Sequence, residues 1–124
     1  MRPDRDPRER FPRSVYADGD EPDPRFSLAN ERTFLAWIRT ALAFIAAGLA
    51  IEALQVPVTE WLRVGIAVVL VLAGLAATTQ AWLAWTRTER AMRRGTPLPS
   101  SGLKLPIALM LVLVALGVLI GVLL

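Results

Sequence analysis

Between Arg63 and Arg87 the chain runs for 23 residues without a charge, "VGIAVVLVLAGLAATTQAWLAWT". A helix of about 20 apolar residues crosses a hydrocarbon layer roughly 30 Å thick, so this run predicts a membrane-spanning helix. A second uncharged run, "LPIALMLVLVALGVLIGVLL", fills residues 105 to 124. A third apolar stretch, within residues 30 to 52, reads "NERTFLAWIRTALAFIAAGLAIE". The charges of the chain crowd into residues 1 to 39 and 87 to 104. A soluble domain spreads charge over its whole surface, so this segregation argues for a bilayer. The predicted class is an all-α integral membrane protein with three transmembrane helices, at about 28–54, 61–94 and 105–124, within a domain covering 27–124.

Residues 1–26, "MRPDRDPRERFPRSVYADGDEPDPRF", hold five prolines and thirteen charges. With so little apolar surface to bury, they read as a disordered cytoplasmic tail. Its basic first half could touch anionic headgroups. No apolar segment with a small-residue cleavage site follows the start, so it does not read as a signal peptide. Ser27 is the expected helix N-cap. Glu89 and Arg93 are spaced i, i+4. Gly95 followed by Pro97 reads as a helix stop.

Lysine and arginine are plentiful on the N-terminal side and in the second loop (Arg87, Arg90, Arg93, Arg94, Lys104). The first loop carries Arg63 with Glu52 and Glu60. The positive-inside rule then predicts a cytoplasmic N-terminus and an external C-terminus. The expected location is the cell (inner) membrane, multi-pass. Trp37, Trp82 and Trp85 would form the inner aromatic belt, with Trp61 at the outer interface. Glu52 and Arg63 are expected to pair at the outer end.

Arg39 cannot be moved out of the first span. Avoiding both Arg39 and Glu52 leaves only Thr40 to Ile51, twelve residues, or about 18 Å of helix. An arginine held about 10 Å inside either snorkels to the headgroups or faces a protein interior or aqueous path. Arg32 and Arg39 are seven apart and share a helix face, which continues through Ala36, Ala43, Ala46 and Ala50. Gln80, seven residues inside Arg87, is expected at the depth of Arg39, with Thr79 nearby and Glu31 as a counter-charge at the inner mouth. Gly117 and Gly121 form a GxxxG pair suited to close helix packing, within one chain or between subunits.

The chain has no cysteine and no histidine. Disulfides and cysteine chemistry are excluded, and the commonest general base and metal ligand are missing. Without a paired intramembrane carboxylate either, an enzyme is not expected, nor a metal or other cofactor. Nucleic acid is not an expected partner, because the basic residues bracket apolar spans.

The run "LANERTFLAWIRTAL", Leu28 to Leu42, resembles the signature of the YidH-like family of small three-helix membrane proteins, a domain of unknown function (two hundred and two). That domain is similar to the membrane part of the eukaryotic vacuolar transporter chaperone, which makes polyphosphate and passes it across a membrane. The resemblance implies that Arg32 and Arg39 are pore-facing, anion-binding cations, with Glu31 their acidic neighbour, in a ring of subunits. Polyphosphate synthesis is not implied, since the chain has no polymerase domain. The expected function is a homo-oligomeric membrane protein with a basic intramembrane pathway, a channel or transporter for an anion such as phosphate or polyphosphate. The alternative is an accessory or assembly subunit of a larger membrane complex, without transport of its own.

Overall fold

The computed structural model describes residues 6–100 and 102–124. Every long element is a helix. A 3-10 turn at Pro7–Glu9 and a short helix α1 (Arg13–Tyr16) form an N-terminal arm. Three long helices follow: α2 (Pro24–Ala53), α3 (Glu60–Arg94) and α4 (Lys104–Leu123). Each is long and apolar enough to cross a membrane. At 1.5 Å per residue α3 is about 52 Å long, so it must extend well beyond a 30 Å hydrocarbon layer.

The helix ends follow local chemistry. α2 begins at Pro24, with Asp23 as its N-cap, four residues before the expected cap at Ser27. The Asp23 carboxylate accepts the Arg25 backbone N–H at 2.9 Å. Proline at the first helical position loses no helical hydrogen bond, and its fixed φ suits the turn. α2 ends against a reversal in which Gln55 adopts φ 50° and Pro57 blocks continuation. There Glu52 and Arg63 meet across the turn at 3.2 Å. α3 stops at Gly95, whose φ of 67° is the left-handed cap conformation.

α2 and α3 pack as an antiparallel pair along small residues. Ala41, Phe44 and Gly48 of α2 face Ile66, Leu70, Gly74, Ala77 and Ala81 of α3, all buried. The approach is close at two points. A Cβ added to Gly74 would lie 2.5 Å from Ile45 Cγ1 and 2.9 Å from the Ala41 carbonyl oxygen. One added to Gly48 would lie 2.9 Å from the Ala67 carbonyl oxygen. Glycine at these positions sets the separation of the helices. α4 leans on the same core through Ile107, Met110, Val114 and Val118. Its glycines face α3 of the same chain: Gly121 sits against Val58 and Leu62, and Gly117 towards Ile66.

The outer faces are apolar. Leu42, Leu49, Leu72, Leu75 and Leu113 are each more than half exposed. Water would penalise such a surface at every turn, whereas hydrocarbon does not.

The arm departs from the disordered tail expected for residues 1–26. Residues 1–5 lie outside the described residues. From Asp6 onward the arm folds back over the C-terminal end of α3, and Val15 is fully buried there. The physical reason is that its charges find partners on α3.

Candidate functional site

Two polar features are built on the α2–α3 pair. The first is the basic face of α2. At 100° per residue, Arg32, Ala36, Arg39, Ala43, Ala46 and Ala50 lie opposite the face that carries Ala41, Phe44 and Gly48. All six are exposed in the single chain. Among the described residues, neither arginine pairs with a carboxylate. Arg39 therefore points away from the helix that α2 packs on, in the middle of an apolar segment.

The supporting residues expected around Arg39 are not gathered there by one chain. Gln80 lines a pocket with Thr33 and Trp37. Trp37 is two residues, or 200°, around α2 from Arg39. Thr79 is exposed on α3, with its hydroxyl donating to the Leu75 carbonyl at 3.1 Å. Glu31 turns to a third side and lines a pocket with Tyr16, Trp85 and Glu89. Gln80, Thr79 and Glu31 are separated because a 3.6-residue period sends neighbouring polar positions to different faces, so equal depth does not bring them together.

The second feature is a polar cluster where the arm meets α2 and α3. Glu89 is 3% exposed, yet both carboxylate oxygens are served. Ser27 donates to Oε1 at 2.9 Å and Asn30 Nδ2 donates to Oε2 at 3.2 Å. Asn30 also donates to the Trp85 carbonyl at 3.1 Å. These bonds tie α2 to α3 at the level where both helices leave the apolar core. Arg93, one turn on, is 4% exposed and points to the arm instead of to Glu89. Its guanidinium donates to the carbonyls of Asp18 and Tyr16, both at 2.7 Å, and to Glu21 at 3.0 Å. The Asp20 N–H in turn donates to the Arg93 carbonyl at 3.0 Å, one of the last α3 acceptors. Gly19, at φ 53°, lies so close to that carbonyl that a side chain would collide with it.

Further charges and rings complete the seat. Arg94 pairs with Asp18, and Arg10 with Glu21. Arg10 lies 4.5 Å above the Tyr16 ring. Trp82 and Trp85 stack with centroids 5.6 Å apart, with Phe11 on one and Tyr16 on the other. Hydrogen bonding from Arg94 holds the Asp18 carboxyl below its usual range. For Glu21, burial pushes upward, but hydrogen bonds from Arg93 and Arg10 outweigh it and hold the carboxyl low. Burial, reinforced by the charge of Glu89, raises the Tyr16 phenol.

The sequence reading missed Asn30, Glu89, Arg93 and Tyr16 as one assembly. A signal was present: a lone asparagine and a glutamate on otherwise apolar faces need partners. Trp82 and Trp85, expected in the inner interfacial belt, also form the platform for the arm.

Residues 25–91, more than half of the chain, match the family described as Domain of unknown function (DUF202). The chain belongs to this family. The matched segment holds α2 and α3 almost entire, with Arg39, Asn30 and Glu89 inside it. The inner membrane protein YidH of Escherichia coli (strain K12) is 47% identical over 98 residues, covering 78% of this chain and 85% of YidH. The uncharacterized protein Rv2272 of Mycobacterium tuberculosis (strain H37Rv) is 48% identical over 80 residues, 64% of this chain and 66% of that protein. No solved structure matches. With three spanning helices and the likeness to YidH, this DUF202 protein is a multi-pass inner membrane protein.

Proposed function

We propose that the protein is a self-associating membrane subunit in which the α2 faces of neighbouring copies line a basic pathway that binds or conducts an anion. The observation that carries this reading is the direction of Arg39. It lies within the apolar part of α2, on a stripe of alanines, facing away from α3. A charge at that depth is costly unless it meets water, a counter-charge or a polar partner. None of the described residues covers it, and three helices cannot enclose a path by themselves. Small residues on the same stripe allow a neighbouring helix to approach closely. Arg32, one heptad nearer the capped end, would form a second cationic ring, and such rings select anions. The excess of arginine and lysine at the capped end supports a cytoplasmic N-terminus.

A second reading draws on the same uncovered face. A carboxylate of a different membrane protein would serve Arg39 equally well, making this chain an accessory subunit. The two readings separate on purification in mild detergent, native mass determination and anion flux in liposomes. The pathway reading predicts a homo-oligomer whose flux falls in Arg39→Ala. A stable monomer, or equal flux in Arg39→Ala and the parent, overturns it. Co-purification of one fixed partner at constant ratio would favour the accessory reading.

A further inference from the structure

A pocket of about 240 Å³ opens where α2, α3 and the start of α4 come together. It carries two cations, Arg87 and Lys104, among the polar side chains of Thr33, Thr88, Ser100 and Gln80. No carboxylate among the described residues lines it. Among the described residues, neither cation forms an ion pair. The chemistry is that of an anion site: two positive charges and several hydroxyl and amide groups, in a space equal to about eight waters at ~30 Å³ each.

A second depression of about 240 Å³ shares Thr33, Trp37 and Lys104 with the first. It continues between α2 and α4 over Ala36, Thr40 and Ile107, and its lining is largely apolar. The two form one continuous feature, polar and cationic at the helix ends and apolar towards the membrane interior. A free inorganic anion would use only the first half. We propose that this feature binds an anionic phospholipid, with the phosphodiester between Arg87 and Lys104 and an acyl chain along the α2–α4 groove. Charge complementarity selects the headgroup, and the groove selects a ligand that carries hydrocarbon. Basic pockets between transmembrane helices at the interface are suited to this task. The lipid would fasten α4, which buries no residue fully against the rest of the chain. The polar half of the site meets α2 at Thr33 and Trp37, each more than about 100° around the helix from Arg39, and of the groove residues only Ala36 belongs to the Arg39 face, so the site stands or falls independently of the anion pathway.

The test is native mass spectrometry of delipidated full-length protein, titrated separately with phosphatidylglycerol and phosphatidylcholine. Phosphatidylglycerol should bind more tightly. Combined Arg87→Gln and Lys104→Gln should weaken it by roughly thirtyfold, given the contribution of each cation. Arg13→Gln, which removes an exposed arginine of the arm, should change nothing. Thr40→Trp, which fills the groove without touching charge, should also weaken lipid binding. Lys104→Arg should retain it, which separates loss of charge from loss of fold. Equal affinity for the two lipids would overturn the proposal, as would unchanged binding in the double variant or in Thr40→Trp. Displacement of phosphatidylglycerol by comparable concentrations of inorganic phosphate would also overturn it, pointing to a soluble anion.

Discussion

Arg93 is the residue on which the arm depends. Its guanidinium meets two arm carbonyls and one carboxylate, and its own carbonyl receives the Asp20 N–H. Removing the side chain leaves the part-buried Asp18 and Tyr16 carbonyls without that donor, and Glu21 with Arg10 alone. One hydrogen bond to a charged group is worth about 1.5–3 kcal/mol, so Arg93→Ala should release the arm. Hydrogen exchange over residues 12–22 should rise to the rate of an unfolded segment, while α2 and α3 stay protected. The same contacts make docking pH-dependent. Asp18 and Glu21 have carboxyls held below their ordinary range in the folded state. Their stabilisation is therefore complete above the unfolded carboxylate values, near 4, and is lost as pH falls through the depressed folded values. Fluorescence of Trp82 and Trp85, which the arm covers, should change below about pH 4 and stay constant from there to neutrality. An Asp18→Asn, Glu21→Gln variant should show no such acid transition.

At the scale of the helices, the α2–α3 contact is set by glycines that are scattered in the sequence. Gly117 and Gly121 were legible as a pair because they sit four apart on one helix. Gly48 and Gly74 each stand alone, and their partners are carbonyls and side chains of the other helix, which no local pattern reveals. Gly74→Ala forces a methyl against Ile45 and the Ala41 carbonyl, an overpacking that costs roughly 1–3 kcal/mol. Gly65 lies on the same helix with nothing within 4 Å of an added Cβ. Gly65→Ala should therefore shift stability by no more than about 1 kcal/mol. Thermal melts in detergent that ranked the two variants the other way would refute the close approach. The second and third spans were readable from charge-free runs alone, and the first from the apolar stretch around Arg39, since length and hydrocarbon thickness leave few alternatives. Residues 6–23 were not. Three prolines and many charges resemble a solvated tail until the partners are known, and those partners, Trp82, Trp85, Arg93 and Arg94, lie some seventy residues away.

Seen whole, the molecule is a tight helix pair with a loosely held third helix, capped at one end by its own N-terminal arm. Polar order concentrates at that end. Asn30 and Glu89 lock the pair, Arg93 seats the arm, and Arg87 with Lys104 forms the pocket beside them. Arg39 remains the exception. It sits deeper, on a face that none of the described residues covers, and in the proposed assembly a second copy of the chain covers it. The depth of that arginine was legible from counting residues. Its direction required the structure, because only the α3 contact shows which side of α2 is already occupied. The chain has no cysteine, so single thiols can report on this directly. Ala46→Cys lies on the Arg39 face, and Leu75→Cys is an exposed control on α3. Oxidation of the two variants in native membranes is the most direct measurement. Ala46→Cys should give disulfide-linked dimers and Leu75→Cys none. Monomeric Ala46→Cys under conditions that oxidise an interfacial control thiol would contradict self-association, leaving Arg39 to a different membrane protein or to snorkel along lipid.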